Sequence, residues 1–459
     1  MRRYLRRTFE SLHNGNYRLF FFGQGVSVIG NWMQKIAMVW LVLELTDSGT
    51  LLGVTAGLQQ LPTLLLTPWG GLLADRVDRR RILLWTQSAL AVPALALGIL
   101  SALGIVTVWQ IMALALLLGI VEAVDKPARH MFVIDLVGRE HLTNAIALNN
   151  ALQNSGKVIG PAIAGILIST VGVSATFLLN ALSFAVVVVA LLRIRVEKLH
   201  RRSLSSPEPG QLREGLRYLR RTPELKGPLV LMAVTGLLAY EWTVSLPLLA
   251  HDTFGGDASV VGLFFTAMGA GAIVGGLAAA GWLRATTNTL IVGALIFSGV
   301  MLATSLAPTT ALALVALFFM GAVSVSFRAL SSSLIQLRSA PEMRGRMIAI
   351  LIVAIGGTTP IGGPLVGWLA EQFGARTALA VGAVGTAVSA ALTWLYLRRA
   401  HSRSAGLTPE RSTLPASSAG ATQTRDEAEA TPWFSADLGI DPDDLTGVPA
   451  NEPVRREHS

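Results

Sequence analysis

The sequence predicts an all-α integral membrane protein with twelve transmembrane helices in two six-helix pseudo-repeats. Three observations carry this reading. First, 52% of the 459 residues are hydrophobic and only 14% are charged, where a soluble domain carries about 25% charged residues. Such a chain cannot clothe a soluble surface, which excludes an ordinary soluble enzyme, a disordered chain and a disulfide scaffold. Second, apolar segments of spanning length fall near 17–45, 51–74, 80–103, 107–125, 145–170 and 174–194, and again near 228–250, 259–283, 287–306, 309–333, 345–370 and 375–397. Third, basic residues are one-sided. With the N-terminus inside, the inner connections near the spans hold 30 Lys and Arg, and the outer ones only Arg376, a positive-inside pattern.

The elements follow in order. Residues 1–16 form a basic N-terminal arm that runs into the first apolar stretch with no small-residue cleavage site, so this stretch reads as a spanning helix, not a signal peptide. Residues 17–194 are the first six-helix half. The central loop, 195–227, is basic. Within it Gln211 to Arg221 sets Leu212, Leu216 and Leu219 at helical spacing among arginines, the pattern of an amphipathic helix on the cytoplasmic membrane face. Residues 228–397 are the second half. Residues 398–459, rich in Ser, Thr, Pro and acidic residues without apolar period, read as a disordered cytoplasmic tail. Its Trp433–Phe434 pair, followed by Asp437, Asp441, Asp443 and Asp444, is either a solvated stretch or a dock for a cytoplasmic partner. Both termini are expected on the cytoplasmic side of the membrane.

Absences narrow the function. There is no cysteine, so no disulfide or thiol chemistry. The net charge of +9, from 32 Arg and 5 Lys against 28 acidic residues, follows the inner loops and does not call for nucleic acid. Gly156–Lys157 is followed by valine inside a span, so there is no phosphate-binding loop, and no zinc-hydrolase or serine-hydrolase motif is present. No enzyme activity, cofactor or metal is expected.

Internal repetition supports the two halves. Ile159–Gly160–Pro161–Ala162–Ile163–Ala164–Gly165 in span 5 parallels Gly362–Gly363–Pro364–Leu365–Val366–Gly367 in span 11, six spans on. Between spans 2 and 3 lies Gly71–Leu72–Leu73–Ala74–Asp75–Arg76–Val77–Asp78–Arg79–Arg80–Arg81. This stretch resembles the loop signature of the major facilitator superfamily, with Asp78 in place of a family glycine. The resemblance implies that Gly71, Asp75, Arg76, Arg79 and Arg80 form a cytoplasmic latch between the halves, with Asp75 at a helix end paired to arginine. Gly156–x3–Gly160–Pro161–x3–Gly165 resembles the Gly-Pro motif of antiporters and exporters in that superfamily, and implies close packing and bending there and at Gly363, Pro364 and Gly367. Asn16–Tyr17–Arg18–Leu19–Phe20, Pro127–Ala128–Arg129, His141–Leu142–Thr143–Asn144–Ala145 and Arg344–Gly345–Arg346 make residues 14–398 similar to the bacterial exporter branch that includes enterobactin exporters and macrolide efflux proteins.

Function is expected where polar groups enter the spans, because an ionisable group in hydrocarbon is costly unless it faces a cavity or a partner. Gln24, Ser27, Asn31, Gln34 and Lys35 share one stripe of span 1, and Asn150, Gln153, Asn154 and Lys157 one stripe of span 5. They read as cavity lining or as interhelical glue. Glu241 is the one carboxylate deep in a span, 13 residues after Pro228. Glu241, Lys157 and Lys35 are the candidates for proton coupling or substrate charge, with Trp242 as pocket lining. Glu122, Asp125 and Arg129 at the inner end of span 4, with Arg344 and Arg346, read as a gate or latch network. The expected function is a secondary transporter that exports an amphipathic small molecule, drug-, macrolide- or siderophore-like, by alternating access with proton antiport, in contact with membrane lipids. The alternatives are an uptake or flipping carrier for a nutrient or lysophospholipid, and a membrane scaffold acting through its tail.

Overall fold

The computed structural model describes residues 9–138, 140–200, 211–282 and 284–405. The first part of the basic arm, residues 201–210 of the central loop and the tail from 406, including its Trp433–Phe434 motif, lie outside the described residues. All described helices belong to one compact unit, Met1–Gly406.

The first set of helices is α1 (Gly15–Thr46), α2 (Gly49–Arg76), α3 (Arg79–Ala102), α4 (Val108–Val137), α5 (Leu142–Val171) and α6 (Val173–Arg193). The second contains α7 (Gln211–Arg221), α8 (Pro223–Leu238), α9 (Trp242–Leu248), α10 (Ala258–Trp282), α11 (Thr287–Ser305), α12 (Thr310–Arg338), α13 (Arg344–Gly356), α14 (Thr359–Phe373) and α15 (Ala375–Ala405). Among the described residues the chain is helical throughout, with 10 stretches long and apolar enough to cross a membrane. α2 and α5, of 28 and 30 residues, are as long but fall outside those ten. Their apolar runs are diluted by Gln59, Gln60, Asn149, Asn150, Gln153 and Asn154.

Polar side chains start the helices. Asn14 accepts from the amides of Asn16 and Tyr17 to open α1, Ser48 caps α2, and Thr107 with Gln110 closes a capping box on α4. Asp78 caps α3 by accepting from the Arg81 amide, so the residue that departs from the family pattern has a local task.

Two of the expected spans are broken. Span 11 divides into α13 and α14 around Gly357 and Thr358. Pro360 disfavours helical geometry in the residue before it and lacks the amide that would continue the ladder. Span 7 divides into α8 and α9 at Ala239–Glu241, and after Pro247 passes into a π-helical turn at Leu249–Thr253. No breaker residue occupies 239–241, so the first of these interruptions left no mark in the sequence. At the C-terminal end, α15 runs to Ala405, past the boundary expected at 397.

The two sets meet along two seams, α2 against α14 and α5 against α10. Glycine makes the first seam possible: a Cβ at Gly53 would collide with the carbonyl of Gly363, and one at Gly367 with that of Gly49. In the second, Gly165 lies against Ala258 and Ser259, and Gly262 against the Pro161 carbonyl. The two copies of the Gly-Pro repeat thus occupy corresponding seams. Close approaches run from Gly49 to Leu64 on α2 and from Val158 to Gly165 on α5. They lie toward the end of the bundle opposite the Asp75 loop, and polar contacts reinforce them there. Glu371 accepts from the Ser48 hydroxyl (2.8 Å) and the Thr50 amide (2.9 Å), and His251 Nδ1 stands 3.7 Å from Asp47.

Candidate functional site

The basic loop is bound within the first set. Arg79 donates to Asp135 on α4 at 2.6 Å and to the Ala74 carbonyl, and Arg80 donates to the carbonyls of Leu191 (2.7 Å) and Leu192 (3.1 Å) at the end of α6. Asp75 and Arg76 line a pocket of about 270 Å³ beside Arg79, Arg80, Phe132 and Asp135. The arginine–carboxylate pair therefore forms at Asp135, not at Asp75, and it ties the α2–α3 loop to α4, not to the second set. Gly71 has open space on its outer side. In the second set, Arg346 pairs with Glu214 of α7 at 2.7 Å, while Arg344 is exposed at the start of α13. The amphipathic helix is thereby pinned to α13.

Asp125 and Arg129 turn inward. Asp125 is fully buried and accepts from Thr86 Oγ1 and Gln87 Nε2 at 2.7 Å each, and from Arg129 one turn on. Both oxygens of this carboxylate are engaged by α3 and α4, which ties those helices together. Glu122, one turn above, pairs with Lys126 at 2.7 Å and lies 3.4 Å from Gln59 Nε2.

The span 1 stripe divides. Gln34 is buried and accepts from Asn180 of α6 at 2.6 Å, and Asn31 lies 3.4 Å from the same amide. These residues glue α1 to α6. Gln24 is 1% exposed, with neither amide atom partnered, so it too lines no open space here. In this arrangement Gln24 and Gln34 are buried and Asn31 is half-buried, and α6 brings the Asn180 amide to the level of Asn31 and Gln34. Lys35, half-buried, leans over the Trp32 ring at 5.1 Å. The α5 stripe behaves differently: Asn150, Asn154 and Lys157 are exposed, and Gln153 is half-buried. Lys157 donates to Asn154 Oδ1 at 3.3 Å. On the adjacent face Gly156 and Gly160 are closed against Val28 and Trp32, which fixes α5 on α1.

Glu241 sits in the break between α8 and α9. It is 2% exposed, Oε1 has no hydrogen-bond partner, and the glycine at 362 leaves it room, since a Cβ there would come within 2.9 Å of Oε1. The Thr359 side chain reaches the carboxyl. Irregular backbone at membrane depth is tolerated where it is enclosed by protein or faces a cavity. Trp242 is half-buried and packs edge-on against Tyr240 (5.6 Å) and Phe297 (6.0 Å).

These groups converge. Lys35 lies within Coulombic range of Glu122, Lys126, Lys157 and Glu241, and Lys157 within range of Arg328 on α12. Arg328 lies over the Tyr240 ring at 5.6 Å. The sequence reading missed Arg328, counting it among the inner connections, whereas it stands ten residues inside the end of α12. The missed signal was its setting in Val325–Ser326–Phe327–Arg328–Ala329–Leu330, a spanning pattern and not a loop. A charged cluster drawn from α1, α4, α5, α12 and the α8–α9 break thus spans both sets.

The family model described as "Transmembrane secretion effector" matches residues 7–416. The chain belongs to this family, within the major facilitator superfamily. Macrolide efflux protein A of Streptococcus pyogenes is 26% identical over 78% of this chain and 91% of its own length. The enterobactin exporter EntS of Escherichia coli O1:K1 / APEC is 26% identical over 77% and 85%. The staphyloferrin A transporter of Staphylococcus aureus (strain NCTC 8325 / PS 47) is 27% identical over 56% of this chain, which spans 65% of that relative. Among solved structures, an inward-facing, unoccupied bacterial homologue of the human lysosomal transporter Spinster matches with TM-score 0.69, at 15% identity over 83% of this chain and 96% of its own. The nucleoside transporter NupG matches at TM-score 0.69 and 12% identity over 83% and 99%. This family member is a multi-pass bacterial membrane transporter, not an enzyme.

Proposed function

We propose that the chain is a secondary exporter of an amphipathic small molecule across the bacterial inner membrane, working by alternating access with proton antiport. In this reading α2 and α5 also cross the bilayer, the pairs α8–α9 and α13–α14 each make one span, and twelve spans form two six-helix repeats. Both termini and the Asp75 loop are cytoplasmic. The seams then close the outer end, and the central charges are reached from the cytoplasm. Export accords with the activities of the macrolide and enterobactin relatives.

One observation carries the coupling assignment. Glu241 is a buried carboxylate with an unpartnered oxygen, set in the α8–α9 break with Lys35 of the first set within Coulombic range. A group held this way can take up a proton in one conformation and release it in another. Lys35 supplies the opposing charge, Lys157 a charge for the substrate and Trp242 the apolar wall. The latch residues Asp75, Arg76, Arg79, Arg80 and Arg344 would close against the second set only in the outward-facing state. In everted vesicles with an acid interior, a macrolide or catecholate siderophore should collapse the pH gradient. Glu241→Gln should abolish that response while leaving folding intact. Undiminished gradient collapse in the variant would remove Glu241 from the mechanism.

A further inference from the structure

Lys157 and Arg328 come from opposite helix sets, yet they stand within Coulombic range of each other. Neither has a carboxylate partner among the described residues. Lys157 has only the neutral Asn154 oxygen, and Arg328 only the Tyr240 ring face. Lys35 adds a third cation within range of Lys157. The carboxylates nearby are Glu122, already joined to Lys126, and Glu241, within Coulombic range of Lys35. Like charges at membrane depth repel strongly unless an anion lies between them. Guanidinium offers paired donors that match a planar oxyanion, and ammonium adds a point charge beside it. Aromatic rings flank the same place: Tyr240 packs on Trp242, with centroids 5.6 Å apart.

We infer that this central site takes an amphiphile with an oxyanion head, carboxylate, catecholate or phosphate, held between Lys157 and Arg328 with its apolar or aromatic body against Tyr240 and Trp242. The inference rests on the reading of this space as the transport site and narrows its substrate class to anions in preference to cationic drugs. An anion leaving the cytoplasm also moves with the inside-negative membrane potential.

Two dyes with the same xanthene frame and opposite charge separate the cases: carboxyfluorescein, an anion, and rhodamine 123, a cation. Their binding to the full-length chain in detergent is read by fluorescence anisotropy, with each variant's folding checked by thermal unfolding. Carboxyfluorescein should bind at least about tenfold more tightly than rhodamine 123. Arg328→Gln and Lys157→Gln should each weaken it by about tenfold or more, with little change for rhodamine. Arg328→Lys should recover part of the loss. Equal or tighter rhodamine binding, no measurable carboxyfluorescein binding, or anion binding unchanged in both folded variants would overturn the inference. Anion binding that depends on Arg328, in vesicles that move neither dye, would uphold the oxyanion site and remove the exporter reading instead.

Discussion

Asp125 and Glu241 are both buried carboxylates in membrane-spanning helices, and they are opposites in their surroundings. Asp125, 0% exposed, is met by Thr86, Gln87 and Arg129, all from its own helix set. Glu241, 2% exposed, keeps one oxygen without a partner and lies where the chain leaves helical geometry between α8 and α9. The difference teaches that burial alone does not mark a functional carboxylate. A charge engaged on both oxygens by neighbours holds helices together. A charge left partly unanswered is the one to which the proposed mechanism gives the proton.

That contrast can be broken at either member. The largest effect is expected at Asp125. Asp125→Ala strands the Arg129 guanidinium in the interior, and loss of one partner of a buried pair costs about 3–5 kcal/mol. Thermal unfolding in detergent should show a strongly lowered midpoint, partly restored in Asp125→Ala/Arg129→Met. An unchanged midpoint would mean that the network carries no structural burden. A smaller loss is expected where α1 meets α6. Asn180→Leu leaves the Gln34 oxygen unsatisfied at a cost of about 1–3 kcal/mol, read in the same melt, with substrate affinity kept because Gln34 is bonded to α6 and not to the central charges. A changed affinity would return Gln34 and Asn31 to the cavity wall.

The smallest effect lies outside the spans. Asp257 accepts from the Ser259 hydroxyl and from the Ser259 and Val260 amides at the start of α10, and these bonds hold its carboxyl below the usual aspartate range. The folded state therefore favours the charged form. The stabilisation is present above the ordinary aspartate value and is lost as pH falls through the lowered one. Asp257→Ala should cost about 1 kcal/mol at neutral pH and less in strong acid, where the charge-dependent part of the cap is lost. A difference that does not shrink in acid would contradict the charged cap.

The sequence told much of this, and its silences have physical causes. Apolar length announced a helical membrane protein, because lipid imposes that pattern on any chain, and the resemblance of the Gly71–Arg81 loop announced its superfamily. The Gly-Pro repeats of α5 and α14 announced close helix packing, and both lie in the seams. The polar stripes of α1 and α5 look alike in sequence. What separates them is Asn180 of α6, some 146 residues from Gln34 and paired with it only by folding. The same is true of Arg79, whose partner Asp135 lies 56 residues away on α4. Arg328 was hidden by its neighbourhood of basic loop residues. The break at Ala239–Glu241 left no composition signal at all.

The most direct test of the account separates proton coupling from substrate movement at Glu241. Proteoliposomes holding the wild-type chain or Glu241→Gln are assayed for pH-gradient-driven export and for substrate exchange with no gradient, using whichever substrate drives gradient collapse in vesicles. The account predicts that Glu241→Gln keeps exchange near the wild-type rate and loses gradient-driven export. Export that still follows the pH gradient in the variant would contradict it.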